Sequence, residues 1–150
     1  MAAISHDYPA ASPMLAIRDA AAAMEFYGRA FGAREVLRLA DPTGKVVHGE
    51  MLIGEALIMI AEEHPDYNRS PQTLGGTSVI VSVYVEDVDA MFAQATAAGA
   101  KVIFPVTNQF YGDRTGRVED PFGHMWIFAT RVEDVSREEM RRRFDAQMQG

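Results

Sequence analysis

The chain has 150 residues, with 14 Lys and Arg, 21 Asp and Glu, no cysteine and 48% hydrophobic residues, which is the size and composition of one globular domain. The absence of cysteine excludes disulfides, Cys-based zinc sites, iron–sulfur clusters and thiol nucleophiles. A formal net charge of -7 argues against nucleic acid as a partner, because nucleic-acid-binding surfaces are basic. No apolar stretch reaches the roughly 18 residues of a membrane span. The first residues also lack a signal-peptide pattern, so we expect a cytoplasmic protein with no membrane partner.

The first half of the chain is predicted to form a strand, a helix and three further strands. A strand over 13–17 precedes Asp19, a residue type suited to the N-cap of a helix. The helix is expected over 20–31 and to end at Gly32, where a left-handed residue is favoured. Strands follow at about 35–40, 46–53 and 56–62, the last two joined by a tight turn at Gly54-Glu55.

The second half repeats this order of elements. Valines at alternating positions predict a strand over 79–85. Asp87 and Gly99 are placed to cap the two ends of a helix over 88–98. Strands are expected at about 101–106, 116–119 and 125–130.

The two halves also match residue by residue at an offset of 67 to 69 residues, as in Gly32 with Gly99 and Glu50 with Glu119. The sequence therefore predicts a single α+β domain over 1–150 that contains two tandem βαβββ modules. The modules span about 12–64 and 78–132, and a loop-like linker over 65–77 joins them. A capping box at Ser136-Arg137-Glu138-Glu139 starts a C-terminal helix over about 136–148.

Four motifs resemble the vicinal oxygen chelate superfamily, which includes glyoxalase I, extradiol dioxygenases, fosfomycin resistance proteins and bleomycin resistance proteins. They are Phe26-Tyr27, His48-Gly49-Glu50, Gly112-Asp113-Arg114 and Asp120-Pro121-Phe122-Gly123-His124-Met125-Trp126. The similarity covers about 12–132 and is greatest to the PhnB-like, bleomycin-resistance-like branch. It implies two half-barrel mixed sheets, each curled around a cleft, and a homodimer.

The resemblance also implies where metal-using members of the superfamily place their four ligands. In this chain those positions fall at Ser12, Met59, Ile80 and Ile127. Thioether and hydrocarbon side chains do not bind hard divalent metals. We therefore expect no metal and no other cofactor at the usual place, and keep as an alternative one divalent metal at a relocated site.

The tight turn at Gly54-Glu55 predicts which polar residues share the cleft. If Ile53 pairs with Ala56, then Glu50 lies opposite Met59, and directly opposed residues share a sheet face. His48, Glu50 and Glu119 are the candidate catalytic residues, because carboxylates and imidazoles in a partly apolar cleft suit acid–base chemistry. The alternative interpretation is that these side chains bond each other, nearby arginines or water on a sheet face.

Candidate ligand-binding residues are those whose apolar, aromatic or basic side chains are assigned to the cleft or its rim: Met14, Met59, Ile80, Tyr84, Phe110, Tyr111, Arg114, Met125 and Ile127. Methionine and aromatic walls suit flat or irregular apolar ligands. Trp126 and Phe128 alternate with the cleft positions of their strand and are expected in the core beneath the helices.

Two functions are compatible with these patterns. The first is a protein that binds a small apolar or aromatic molecule without catalysis, with the acidic net charge favouring a cationic ligand. The second is an enzyme of isomerase or lyase type that acts on a small carbonyl substrate through His48 and Glu50, with or without a relocated divalent metal.

Overall fold

The computed structural model describes residues 7–150 as an alternation of strands and helices in the predicted order. The elements are β1 (Met14–Ile17), α1 (Ala20–Phe31), β2 (Arg34–Ala40), β3 (Val46–Ile53), β4 (Ala56–Glu62), α2 (Pro71–Leu74), β5 (Ile80–Tyr84), α3 (Val88–Ala98), β6 (Lys101–Asn108), β7 (Asp113–Glu119), β8 (Met125–Arg131) and α4 (Arg137–Gln149). No helix within residues 7–150 combines the length and apolar character needed to cross a membrane.

Each half of the chain forms its own four-stranded mixed sheet with the same strand order. The orders are β1-β4-β3-β2 and β5-β8-β7-β6. In each sheet the first strand pairs in parallel with the last, and the remaining neighbours are antiparallel. We refer to β1–β4 with α1 as module 1 and to β5–β8 with α3 as module 2. The predicted α+β fold of two βαβββ modules with a C-terminal helix is confirmed.

The helices α1 and α3 begin and end at the predicted residues. The side chains of Asp19 and Asp87 each accept a backbone N–H from the first helical turn. Gly32 and Gly99 adopt left-handed φ values of 64° and 115° at the other ends.

Two segments differ from the sequence-based expectation. The linker contains the single-turn helix α2, because Ser70 caps its N-terminus and Pro71 occupies the first helical position. The strands β6 and β7 extend further towards each other than predicted, to Asn108 and Asp113. This extension places Arg114 on a strand, so that the alternation of strand side chains decides which face it occupies.

One continuous core joins the two modules. Trp126 and Phe128 of β8 are fully buried, as predicted. The centroid of the Trp126 ring lies 5.3 Å from that of the Tyr27 ring, and the centroid of the Phe128 ring lies 4.9 Å from that of the Phe31 ring. Because Tyr27 and Phe31 belong to α1, the helix of module 1 packs directly on the sheet of module 2.

A buried carboxylate fastens this junction. Asp120 Oδ2 accepts hydrogen bonds from the Tyr27 hydroxyl at 2.6 Å and from Trp126 Nε1 at 2.9 Å. Asp120 Oδ1 accepts the backbone N–H groups of Phe122 at 2.8 Å and His124 at 3.0 Å. Burial, and next the charge of Asp120, raise the pKa of Tyr27 well above its ordinary value, so its hydroxyl stays protonated and donates.

The helix α4 lies on the surface and buries none of its residues. Arg143 attaches it to the rest of the chain, through bonds to the Glu133 carboxylate at 2.6 Å and to the Phe110 carbonyl oxygen at 3.0 Å. The Phe144 ring lies 6.0 Å from that of Phe110. Arg143 and the contact between the Phe110 and Phe144 rings therefore link α4 to the segments before β7 and after β8.

Replacing Asp120 with alanine is predicted to lower the free energy of unfolding by about 3–5 kcal/mol, because four donors lose their acceptor in the core. Guanidinium chloride unfolding, followed by the fluorescence of the single tryptophan, Trp126, measures the change. Tyr27→Phe removes one of the four bonds and should cost about 1.5–3 kcal/mol, the range for hydrogen bonds to charged groups. Asp66→Ala is the matched control, since the Asp66 side chain is 82% exposed. A loss below about 1 kcal/mol for Asp120→Ala would contradict the structural role given to this carboxylate.

Replacing Arg143 with methionine is predicted to release α4 while leaving the two modules folded. Hydrogen–deuterium exchange should then become faster across residues 137–149 and stay unchanged in the strands. Arg141→Met is the control, because Arg141 makes no ion pair within the described part of the chain. Equal protection of α4 in the wild type and in Arg143→Met would show that other contacts hold the helix.

The attachment of α4 should also weaken in acid. Hydrogen bonds from Arg143 lower the pKa of Glu133 below its ordinary value of 4.5. Because this pKa is depressed in the folded state, its stabilising contribution is complete above the ordinary value and is lost as the pH falls through the lowered one. After correction for the intrinsic exchange rate, α4 should be less protected at pH 3 than at pH 7.

Candidate functional site

Each sheet presents one face to the helices and the opposite face away from them. In module 1 the residues that alternate with the buried Met51, Ile53, Ile58 and Ile60 form what we call face 1: Met14, Leu37, His48, Glu50, Leu52, Leu57 and Met59. In module 2 the corresponding surface, face 2, contains Ile80, Ser82, Tyr84, Phe104, Arg117, Glu119, Met125 and Ile127. The predicted pairing of Ile53 with Ala56 and of Glu50 with Met59 is confirmed.

A glycine in each module allows the helix to pack closely on the sheet. A Cβ atom on Gly49 would lie 2.6 Å from Met24 Sδ of α1, and one on Gly116 would lie 2.6 Å from a ring carbon of Phe92 of α3. The two glycines are therefore structural equivalents, and the residue that follows each of them projects onto the opposite face.

The residues that follow these glycines carry opposite charges. Glu50 pairs with Met59 across β3 and β4, and Arg117 pairs with Ile127 across β7 and β8. The structure thus matches Glu50 with Arg117, whereas the sequence offset had matched it with Glu119. The difference arises because the turn between β7 and β8 is longer than the two-residue turn between β3 and β4, which changes the offset within the repeat.

Face 1 contains a buried carboxylate with two side-chain partners. Glu50 is only 4% exposed. Its Oε2 lies 2.9 Å from His48 Nε2, and its Oε1 accepts a hydrogen bond from the Tyr8 hydroxyl at 3.0 Å. That hydrogen bond raises the pKa of Tyr8, so the phenol remains the donor.

A cavity of about 430 Å³ lies beside this carboxylate. Its lining consists of Asp7, Tyr8, Pro9, Val36, Glu50, Leu52, Glu55 and Leu57. The cavity therefore combines apolar walls with carboxylates and one phenol, and within residues 7–150 no basic side chain lines it. Its size falls within the range of small-molecule sites.

Face 2 contains a guanidinium group at the position equivalent to Glu50. The Arg117 guanidinium carbon lies 5.2 Å from the centre of the Phe104 ring. Arg117 Nε is buried and has no hydrogen-bond partner among residues 7–150. Glu119 lines a different cavity, beside Pro71 and Gln72 of the linker.

A second polar contact fixes an aromatic ring on face 2. The Tyr84 hydroxyl donates to Asp113 Oδ2 at 2.6 Å, and Arg131 Nε lies 2.7 Å from Asp113 Oδ1. Tyr84 nonetheless remains 61% exposed. Face 2 therefore presents an oriented aromatic ring and the ion-paired Arg131 in addition to Arg117.

The structure brings most of the sequence-predicted residues together on the two faces. The predicted residues found on face 1 are His48, Glu50, Met14 and Met59, and those found on face 2 are Glu119, Ile80, Tyr84, Met125 and Ile127.

Three predicted ligand-binding residues lie away from both faces. Phe110 packs near Phe144 of α4, and Tyr111 makes an edge contact with Phe110 at 5.2 Å. Arg114 Nε pairs with Asp89 of α3 at 2.8 Å, on the helix side of the sheet. Because β7 starts at Asp113, Arg114 lies on a strand. Successive strand side chains point to opposite faces, so Arg114 points to the helix side and Arg117 points to face 2.

The side chains of Tyr8 and Phe104, which contact the charged groups of these surfaces, were not singled out from the sequence. Tyr8 lies in the segment before β1, and no local pattern links it to Glu50, 42 residues further along the chain. Phe104 reaches face 2 through a register shift in β6 between Val102 and Phe104. Phe104 could be placed on face 2 only from a strand register that includes this bulge.

The residues at the four superfamily ligand positions do not fit a divalent metal. Ser12, Met59, Ile80 and Ile127 supply one hydroxyl, one thioether and two hydrocarbon groups. Across residues 7–150, no three His, Cys, Asp or Glu side chains come close enough to hold a metal ion together.

Comparisons with known proteins agree with the architecture. A model of the Glyoxalase/Bleomycin resistance protein/Dioxygenase superfamily matches residues 10–128. An uncharacterized protein of Mycobacterium bovis is 39% identical over 146 residues, which cover 95% of this chain and 96% of that protein. The crystal structure of TioX from Micromonospora sp. ML1 has a TM-score of 0.68 and 32% identity, over 83% of this chain and 100% of TioX. An Arabidopsis thaliana gene product has a TM-score of 0.64 and 28% identity, over 81% of this chain and 98% of that one.

These matches cover most of the chain, and they include the two βαβββ modules and both faces. The chain belongs to the Glyoxalase/Bleomycin resistance protein/Dioxygenase superfamily.

Proposed function

We propose that the protein binds a small, mainly apolar or aromatic molecule whose hydrogen-bond donor or positive charge lies at Glu50. The observation that carries this proposal is a carboxylate only 4% exposed beside a mostly apolar cavity of about 430 Å³. Such a cavity favours an apolar body, and the carboxylate selects the polar group attached to it.

The hydrogen-bonding capacity of Glu50 supports a donor on the ligand. An ionised carboxylate has about four acceptor sites. The contacts with Tyr8 and His48 use two of them. A ligand amine or hydroxyl would use another, and this bond would be charge-assisted. The net charge of -7 also favours a cation.

Exposed apolar side chains on the two faces support binding on a wider surface. Met14, Ile80 and Tyr84 are 54%, 40% and 61% exposed, respectively. Ile80 and Tyr84 share face 2, and exposed apolar patches are typical of ligand or protein contacts. We further propose a cytoplasmic homodimer of the PhnB-like branch that binds a small-molecule ligand and neither nucleic acid nor membrane.

A second candidate function is supported by the contact between His48 and Glu50. An imidazole 2.9 Å from a buried carboxylate can exchange a proton with it, which suits an isomerase or lyase acting on a small carbonyl compound. Within residues 7–150, no third His, Asp or Glu lies close enough to His48 and Glu50 to complete a divalent metal site. The binding function needs fewer assumptions, because it requires only the cavity and the carboxylate.

Replacing Glu50 with glutamine is predicted to weaken the binding of 1-naphthylmethylamine by about tenfold or more, because the charge-assisted hydrogen bond is lost. Isothermal titration calorimetry at pH 7 measures this change. The neutral analogue 1-naphthalenemethanol should lose less than about threefold, because it does not depend on the negative charge. Glu25→Gln, an exposed change on α1, is the control. The proposal fails if neither compound binds the wild type, or if Glu50→Gln leaves amine binding unchanged.

Metal content separates the two candidate functions. Protein purified without an affinity tag or chelator is predicted to contain far less than one equivalent of any divalent metal by elemental analysis, in the wild type and in His48→Ala and Glu50→Ala alike. About one metal per chain, lost in both variants, would instead establish a relocated site and favour the enzyme.

A further inference from the structure

We infer that face 2 is a second binding site of opposite charge preference, which takes an aromatic acid. The acid group binds Arg117, and the aromatic body lies against Phe104 and Ile127. The group recognised is a carboxylate, sulfonate or similar planar or branched oxyanion. This site goes beyond the cation site proposed at Glu50 and does not depend on it.

The bonding of Arg117 differs from that of the arginines around it. Arg114, on the same strand but on the helix side, donates two hydrogen bonds to Asp89 at 2.8 and 2.9 Å. Arg131, on the neighbouring strand, lies 2.7 Å from Asp113. Arg117 makes no ion pair within 4.0 Å among residues 7–150, and its Nε is buried without a partner. The buried Nε donor of this guanidinium group is thus unpaired within the described part of the chain, on a face that already holds apolar side chains.

The surroundings of Arg117 favour an acid with an aromatic body. The guanidinium group stacks over Phe104 at 5.2 Å, which restricts the orientation of its planar donor fork. Phe104 is 57% exposed, and Ile127 lies directly across from Arg117. A planar guanidinium matches the geometry of two oxygens of one acid group, and the exposed ring offers a stacking surface beside it.

The nearest carboxylate on the same face does not occupy the guanidinium group. Glu119 lies two residues further along β7 and pairs in register with Lys101 and Met125. It lines the cavity beside the linker with Pro71 and Gln72. A ligand acid at Arg117 therefore replaces no existing ion pair.

Arg117 and Glu50 occupy equivalent positions in the two modules. Arg117 follows Gly116 as Glu50 follows Gly49, and each faces an apolar residue on the last strand of its module. The same backbone position thus presents a carboxylate in module 1 and a guanidinium group in module 2. The two modules should consequently select ligands of opposite charge.

A groove on α4 also combines basic and aromatic groups. The groove has a volume of about 560 Å³ and is lined by Phe110, Arg137, Met140, Arg141 and Phe144. Its arginines lie on an exposed helix. Charge alone would also attract an aromatic anion to this groove, so the experiment must distinguish it from face 2.

The test uses two dyes that differ by one acid group, 8-anilinonaphthalene-1-sulfonate and its uncharged parent N-phenyl-1-naphthylamine. Fluorescence titrations are made on the full chain for the wild type, Arg117→Gln and Arg141→Gln. We expect Arg117→Gln to weaken binding of the sulfonate by about tenfold or more and to change binding of the uncharged dye by less than about threefold. Arg141→Gln should change neither.

Equal binding of the sulfonate to the wild type and Arg117→Gln overturns the inference, as does a loss seen in Arg141→Gln instead. Failure of the wild type to bind the sulfonate overturns it as well. If Arg117→Gln does not fold, Arg117→Lys replaces it: the charge remains but the two-pronged geometry is lost, so an intermediate loss of affinity is expected. The amine titration of Glu50→Gln is independent of these results, so failure at face 2 and failure of the cation site are separate outcomes.

Discussion

The arrangement of the two modules depends on the hydrogen bonds that converge on Asp120. A buried carboxylate is costly unless donors surround it, and here two side chains and two backbone N–H groups do so. One of the donors, Tyr27, comes from the helix of the other module. The turn after β7 is therefore fixed relative to α1, and the rings of Phe31, Trp126 and Phe128 fill the space between them. Because this junction lies on the helix side, it leaves the opposite faces of both sheets free for binding.

Close helix packing also determines what the free faces contain. Gly49 and Gly116 lie beneath Met24 and Phe92, and any larger side chain would collide with them. Strand alternation then directs the next residue onto the free face in both modules. The charged groups of the faces are thus held by rigid strands and not by loops, which is the arrangement that best preserves a site's geometry.

The register of module 1 followed from its two-residue turn, whereas the repeat offset did not give the equivalence of Glu50 and Arg117. A two-residue turn at Gly54-Glu55 determines the pairing of β3 and β4, so the position of Glu50 opposite Met59 could be predicted. The turn between β7 and β8 spans residues 120–124, so the sequence offset matched Glu50 with Glu119, whereas the strand pairing matches it with Arg117. Contacts between segments far apart in the sequence could not be predicted either. Tyr8, in the segment before β1, donates a hydrogen bond to Glu50. Phe110 packs on α4, which Arg143 holds in place.

The duplicated frame gives a physical reason for two sites with different selectivity in a small protein. Each module has an equivalent glycine beneath its helix and an apolar residue opposite the charged one. Equivalent packing of helix on sheet therefore positions both charged side chains. Ligand preference then depends on one side chain, Glu50 or Arg117, whose charge is reversed between the modules. Each charge is held differently: His48 and Tyr8 satisfy Glu50, while Phe104 stacks on Arg117 and leaves its donors free. A free guanidinium group gains more from a bound acid than a carboxylate already bonded twice gains from a bound donor. We therefore expect the face at Arg117 to depend more steeply on the charge of its ligand than the cavity at Glu50.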